Sequence, residues 1–299
     1  MNKPIKSYKA FDENLRCRGF QYEVGKEYDI NGDIQCCKRG FHACESPMEV
    51  WDYYDMLTSR FAEVEQSGKI STEADSTKIC SSHIKIKAEL KLADIINIGV
   101  EWLKALTAPS KVKADGAELN DNGVRGAQIG SSGDYAKIGS SGDSAKIGSS
   151  GYSAKIGSSG DSAKIGSSGD YAKIVSSGDS AKIGSSGCYA QIGSSGDYAK
   201  IVSSGCSAKI GSSGDYAKID STGEDSVIMC AGEGSVAKAK IGSWITLAEW
   251  KRDDRKGRWV PVCVKTERVD GIKIKPDTWY KLQDGEFVEA TRGYKKQGV

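Results

Sequence analysis

Proline is scarce in this chain, five among 299 residues, and histidine is scarcer, with only His42 and His83. Two histidines this far apart in sequence give almost no basis for a Cys–His nucleophile pair. Long apolar runs are missing too, since none approaches the roughly 18 residues of a membrane-spanning helix. The opening MNKPIKSYKAFDENLRC lacks the apolar centre of a secretory signal. An excess of either charge is also absent. The 42 basic and 40 acidic side chains leave +2, so neither nucleic acid nor an anionic membrane is expected as a partner. Nine cysteines, odd in number and scattered, do not resemble the framework of a small secreted domain. These absences point to a soluble, non-secreted protein with reduced thiols.

What the chain has in excess is glycine, 36 residues concentrated in one periodic block. From Gly130 the phrase GSSGDYAKIGSSGDSAKIGSSGYSAKI recurs, and between Ala127 and Ala217 an alanine returns every nine residues, each followed two places later by isoleucine. A short fixed period marks a solenoid, whose units bury apolar positions only by stacking on their neighbours. In an extended Ala-Lys-Ile segment, Ala and Ile face one side and Lys the other. The following Gly-Ser-Ser-Gly is expected to end the strand and to supply positive φ at glycine. A helix is excluded, at about 1 kcal/mol for each internal glycine. Nine residues cannot enclose a core, so two repeats, 18 residues, are expected per coil. Ser226-Val227-Ile228, Ser235-Val236-Ala237 and Trp244-Ile245-Thr246 continue the nine-residue register downstream. Ala117-Glu118-Leu119 lies one residue out of phase upstream, as an atypical cap would. At about 4.8 Å per coil the rod spans about 25–35 Å.

The repeat departs from the calcium-binding nonapeptide, because its Asp and apolar positions are displaced and Asp gives way to Tyr152, Cys188 and Cys206. Nine lysines against seven aspartates in the regular block give neither the acidic stripe of a DNA mimic nor the basic stripe of a DNA binder. Tyr135, Tyr171, Tyr189, Tyr198 and Tyr216 stand out on this lattice as candidate anchors of a protein-binding face.

The flanks are of ordinary composition. Ser46-Pro47-Met48-Glu49 reads as a capping box opening a helix through Val50, Trp51, Tyr54 and Leu57. Ile84, Ile86, Ala88 and Leu90 alternate as in a half-buried strand, and Leu92 to Leu106 is apolar at helical spacing. Cys36, Cys37, His42 and Cys44 could in principle ligate zinc. They lack paired Cys-x2-Cys spacing, and adjacent cysteines seldom reach one ion, so no metal or cofactor is expected. In the tail, Val269-Asp270-Gly271-Ile272 and Gln283-Asp284-Gly285-Glu286 read as hairpin turns. Trp244, Trp250, Trp259 and Trp279 are assigned to core and cap. The resulting architecture is mixed and mainly β. It comprises an α+β domain at 1–112, a β-solenoid of nonapeptide repeats at 113–242 and a small C-terminal β cap at 243–299.

Tyr8-Lys9-Ala10-Phe11-Asp12, Cys17-Arg18-Gly19-Phe20-Gln21-Tyr22 and Gly40-Phe41-His42-Ala43-Cys44 resemble an N-terminal domain of phage and prophage proteins, one that precedes short Gly/Ser/Asp/Ala repeats. Gly242 to Trp250 and Lys275 to Tyr280 are similar to the C-terminal part of the same family. The resemblance implies a viral or prophage origin and transfers no activity or catalytic residue. The expectation is therefore a non-enzymatic, phage-encoded protein in the cytoplasm of the bacterial host cell. Its solenoid and end domains would engage a host protein and inhibit a defence system. A structural or adhesive phage component and an enzyme seated in the N-terminal domain are the alternatives, and assembly with copies of itself stays open.

Overall fold

The computed structural model describes residues 3–73, 76–107, 115–121 and 123–290. The expected boundary between 112 and 113, and the last nine residues of the C-terminal segment, lie outside them. The chain divides into two units, Met1–Trp102 and Leu103–Val299. Among the described residues no helix is long and apolar enough to cross a membrane.

The first unit is built on antiparallel strands whose pairing closes into a circuit. Ile5–Phe11 pairs with Phe41–Cys44 and Arg60–Thr72, and both of these pair with Lys78–Leu90. Glu27–Asp29 pairs with His83, Ile84 and Lys85 in the middle of Lys78–Leu90. Alternating residues send Phe11, Phe41, Ala43, Val64, Ile84 and Ile86 into one core. Buried Gln66 ties the circuit together, its Nε2 donating to the carbonyls of Phe41 and Ile79 at 2.8 and 3.2 Å. The helix Leu92–Leu106 forms where its apolar spacing places it. The capping box does not act as one, and only a 3-10 helix, Pro47–Asp52, forms there, with no side-chain cap from Ser46. The buried Glu49 turns away to accept from the backbone N–H and hydroxyl of Thr77, at 3.0 and 2.9 Å. A tertiary partner has taken the carboxylate that the helix start needed.

The second unit contains the solenoid, about seven coils over residues 118–247. Each repeat forms a four-residue strand such as Lys173–Ser176. Alternate repeats build two parallel sheets, with Ile156 beside Ile174 in one and Ile165 beside Ile183 in the other, at 18-residue register. Alanine and isoleucine line the interior as expected. The strand does not stop at glycine, however. It runs on through Gly and the first Ser, which turns inward to complete an Ala–Ile–Ser interior.

The left-handed position is not glycine either. Tyr135, Ser144 and their equivalents through Tyr216 carry it, with φ between 53 and 59°. The second glycine is required for another reason. At Gly178 a Cβ would land on the carbonyl of Gly160, one coil earlier. Turns of successive coils touch there, backbone to backbone.

Both ends of the array depart from 18 residues. Glu118–Asn120 pairs Leu119 with Ile138, a 19-residue step that matches the out-of-phase cap. At the other end Val227 pairs with Trp244 and Ile228 with Ile245, a 17-residue step. The nine-residue register therefore fails at Trp244. This tryptophan occupies the outward lysine position and is 46% exposed. Trp259 is exposed too, and Trp250 and Trp279 are only half-buried, so the four tryptophans are not the core of a cap. Val269, Ile274, Tyr280 and Leu282 fill that core instead.

The edges of the last coil are covered by antiparallel strands, Arg258–Arg268 on one sheet and Tyr280–Gln283 on the other. The Asp284-Gly285 hairpin forms as expected. Val269 to Ile272 is a loop closed on the Asp270 carboxylate, not a hairpin. The other hairpin is Trp244–Asp253 with Arg258–Arg268.

Candidate functional site

The five solenoid tyrosines sit at corners, not on a sheet face, and they divide between two edges. Where the chain passes from the second sheet to the first, Tyr135, Tyr171 and Tyr189 project along one edge. Tyr152, which replaces the repeat's Asp, fills the level where the adjacent residue is Ser153. The four rings form an unbroken ladder, with centroids 5.8, 5.2 and 4.9 Å apart. Tyr198 and Tyr216 stack at 5.2 Å on the opposite edge. All six are between 37% and 59% exposed. Tyr152 was missed from sequence because it is out of the tyrosine register, and only stacking restores it.

Turn hydrogen bonds hold both edges rigid. The N–H of Tyr171 donates to the Cys188 carbonyl at 2.9 Å and that of Tyr189 to Cys206 at 2.8 Å. On the second edge each aspartate Oδ1 accepts the backbone N–H one coil on, as Asp161 does from Asp179 at 2.9 Å. The aspartates are structural acceptors, which explains their place in the repeat. Cys188 takes the same role, accepting from the Cys206 N–H at 3.2 Å. Their Cα atoms are 4.6 Å apart, the same corner of successive coils that an 18-residue coil requires, and the two are joined as a disulfide, where the composition points to reduced thiols. Seven other cysteines are free.

The zinc-like stretch is not gathered around a point. Among the described residues no group of three or more His, Cys, Asp or Glu side chains is placed to hold a metal ion. His42 Nε2 accepts the Cys37 N–H at 2.9 Å, Cys36 Sγ donates to the Ser71 carbonyl, and Cys44 is buried.

His42 and Cys37 belong instead to a cavity of about 300 Å³ within the first unit, which residue spacing did not reveal. Tyr8, Lys9, Cys17, Arg18, Phe20 and Tyr22 are among the residues that line it, with Cys37, Lys38, the Gly40–Cys44 stretch, Tyr53, Tyr54 and Lys78. Three stretches distant in sequence converge on it, brought together by the Ile5–Phe11 and Phe41–Cys44 pairing. Lys9 is buried at 4% exposure, its Nζ donating to the His42 carbonyl at 2.8 Å and to Cys17 Sγ at 3.5 Å. Tyr54 Oη also donates to Cys17 Sγ, at 2.8 Å.

Burial, above all, lowers the Lys9 pKa from its ordinary value. Burial and the cations of Lys9, Arg18 and Lys78 push His42 down to about 4. Burial raises Cys44 to about 12, with Glu49 adding to the rise. Lys78 is raised, because hydrogen bonds to Glu73 and Cys37 outweigh its desolvation. Arg18 and Cys37 hold φ of 50 and 66°, a left-handed geometry that costs about 1–2 kcal/mol for a residue with a Cβ. Arg18 Nη1 reaches the Cys37 carbonyl at 3.4 Å.

Residues 5–98 match a family described as a domain of unknown function, DUF7666. No curated protein and no solved structure matches the chain.

Proposed function

We propose that the protein is a non-enzymatic binding protein, encoded by a phage, whose rigid solenoid acts with its end domains in the host cytoplasm to engage a host protein and inhibit a defence component. The observation that carries this reading is the tyrosine ladder Tyr135–Tyr152–Tyr171–Tyr189. Tyrosine brings a large contact area with few rotatable bonds and is enriched at interface hot spots. Here its backbone is already fixed by inter-coil hydrogen bonds, so little order remains to be imposed on binding. The phage setting rests on the N-terminal and C-terminal stretches that resemble prophage proteins. The near balance of charge favours a protein partner over nucleic acid.

The test is affinity capture from infected bacteria with the whole chain as bait, beside a Tyr135→Ser, Tyr171→Ser, Tyr189→Ser variant. Serine already occupies this left-handed position at Ser153 and Ser207, so the rod should be undisturbed. The expected result is one host defence protein retained by the wild type, inhibited by it when both are purified, and lost with the variant. Incorporation into virions with no host protein captured overturns the proposal in favour of a structural component. Equal capture by both baits removes the ladder from it.

A further inference from the structure

The cavity of the first unit holds an imbalance that the fold does not need. Lys9, Arg18, Lys38, His42 and Lys78 line it, and no aspartate or glutamate does. Lys78 has its own partner in Glu73, at 2.6 Å. Among the described residues Lys9 and Arg18 meet only neutral groups: a carbonyl, a thiol and the Phe11 and Tyr22 rings, 5.5 and 5.4 Å from the ammonium, for Lys9, and a carbonyl for Arg18. An ammonium 4% exposed with no carboxylate beside it is costly, because burial disfavours its charge and a neutral acceptor compensates only in part. The three cations of Lys9, Arg18 and Lys78 all act on His42, so their fields meet in one space. Aromatic surface lies beside them. Phe20 and Tyr53 line the cavity and are 45% and 47% exposed, although large rings normally find cover.

We infer that this cavity is a binding site for a small organic anion carrying a flat ring. Its phosphate or carboxylate meets Lys9 and Arg18, with Lys38 at the exposed side, and its ring packs against Phe20 or Tyr53. The anion supplies the counter-charge that Lys9 lacks, and charge-assisted hydrogen bonds from ammonium and guanidinium fix its orientation. A volume of about 300 Å³ sits at the small end of the range for ligand pockets, which suits a single ring system with one anionic group. Arg18 and Cys37, both left-handed and tied to each other, hold the cationic wall in place before a ligand arrives. The site is separate from the tyrosine ladder, and neither proposal depends on the other.

The test is calorimetric titration of the full chain at low salt with phenyl phosphate, phenylacetate and adenosine 5′-monophosphate, with inorganic phosphate and adenosine as the halves of the last. Saturable binding of at least one aromatic anion is expected, at least about tenfold tighter than either half, as one extra charged or stacked contact provides. Phosphate and carboxylate sources are separated by which of the three binds. Lys9→Met risks unfolding the domain, so exposed Arg18→Asn and Lys38→Gln are the working variants, each expected to weaken binding about tenfold. A second readout locates the ligand. With only two histidines in the chain, NMR should show His42 titrating upward from about 4 when the anion is bound, while the His83 resonances at constant pH stay where they are. Failure of all three aromatic anions to bind below about 1 mM, far weaker than a preformed site should give, overturns the inference. So does binding that leaves His42 and both variants unchanged.

Discussion

Two glycines of one repeat, three residues apart, should respond in opposite ways to the same added methyl. Gly193 is an outward strand position where a Cβ would meet nothing within 4 Å, and the chain itself places exposed Val175 and Met229 at equivalent sites of the same sheet. Gly193→Ala should therefore stabilise by about 0.5–1 kcal/mol, through reduced backbone freedom in the unfolded chain. Gly196 is a turn position where the Cβ would overlap the Gly178 carbonyl, although ordinary contact begins at 3.4 Å. Relief needs the two coils to part by about 1 Å at that corner, beyond what close-packed backbone tolerates. Three hydrogen bonds cross the gap: Ser195 N–H to Ser176 O at 3.0 Å, Ser180 N–H to Asp197 O at 2.7 Å, and Asp197 N–H to Asp179 Oδ1 at 2.8 Å. At about 0.5–1.5 kcal/mol each, their loss makes Gly196→Ala worse than wild type by about 2–4 kcal/mol. With an m-value of about 3 kcal/mol/M, the urea midpoints of the two variants should differ by about 1 M or more, followed by circular dichroism of the full chain. Equal midpoints would refute the backbone-to-backbone stacking of the turns.

Ile174 is fully buried and its neighbour Lys173 exposed, so Ile174→Asp should destabilise by several kcal/mol while Lys173→Asp is nearly silent in thermal melts. Cys188 and Cys206, joined with Cα atoms 4.6 Å apart, should be found linked by peptide mapping of protein kept under oxidising conditions; free alkylation of both would count against the 18-residue coil. The folded His42 titrates at about 4 and the unfolded near 6.5, so its neutral form is the one the fold prefers. Its contribution is intact above pH 6.5 and is lost as pH falls towards 4. Urea unfolding across that window should be steeply pH-dependent in the wild type and flatter in His42→Gln.

Several features were legible from local sequence because the physics is local. The Ala-Lys-Ile alternation specifies which side of a strand is apolar, and nine residues are too few to enclose that side. Together they require two repeats per coil. The helix Leu92–Leu106 was equally readable from its spacing. The misreadings occurred where a residue from elsewhere intervened. Glu49 looked like half of a capping box until Thr77 took it. Glycine in the turn looked like a conformational requirement, but the neighbouring coil makes it a steric one, and Ser or Tyr carries the positive φ. Trp244 kept the nine-residue count on paper, yet pairing with Val227 rather than Ser226 put its ring outside.

The sequence by itself determined that residues 118–247 are stacked nonapeptides, because a strict period leaves the same side chains to meet at every level. Only the tertiary structure decided how the tyrosines are grouped. Their spacing along the chain cannot say which corner each reaches, and Tyr152 joins its ladder solely because adjacent coils bring a displaced residue level with its neighbours. The cavity belongs wholly to that second category. Lys9, His42 and Lys78 lie up to 69 residues apart, and antiparallel pairing of their strands gathers them around one space that Arg18 also lines.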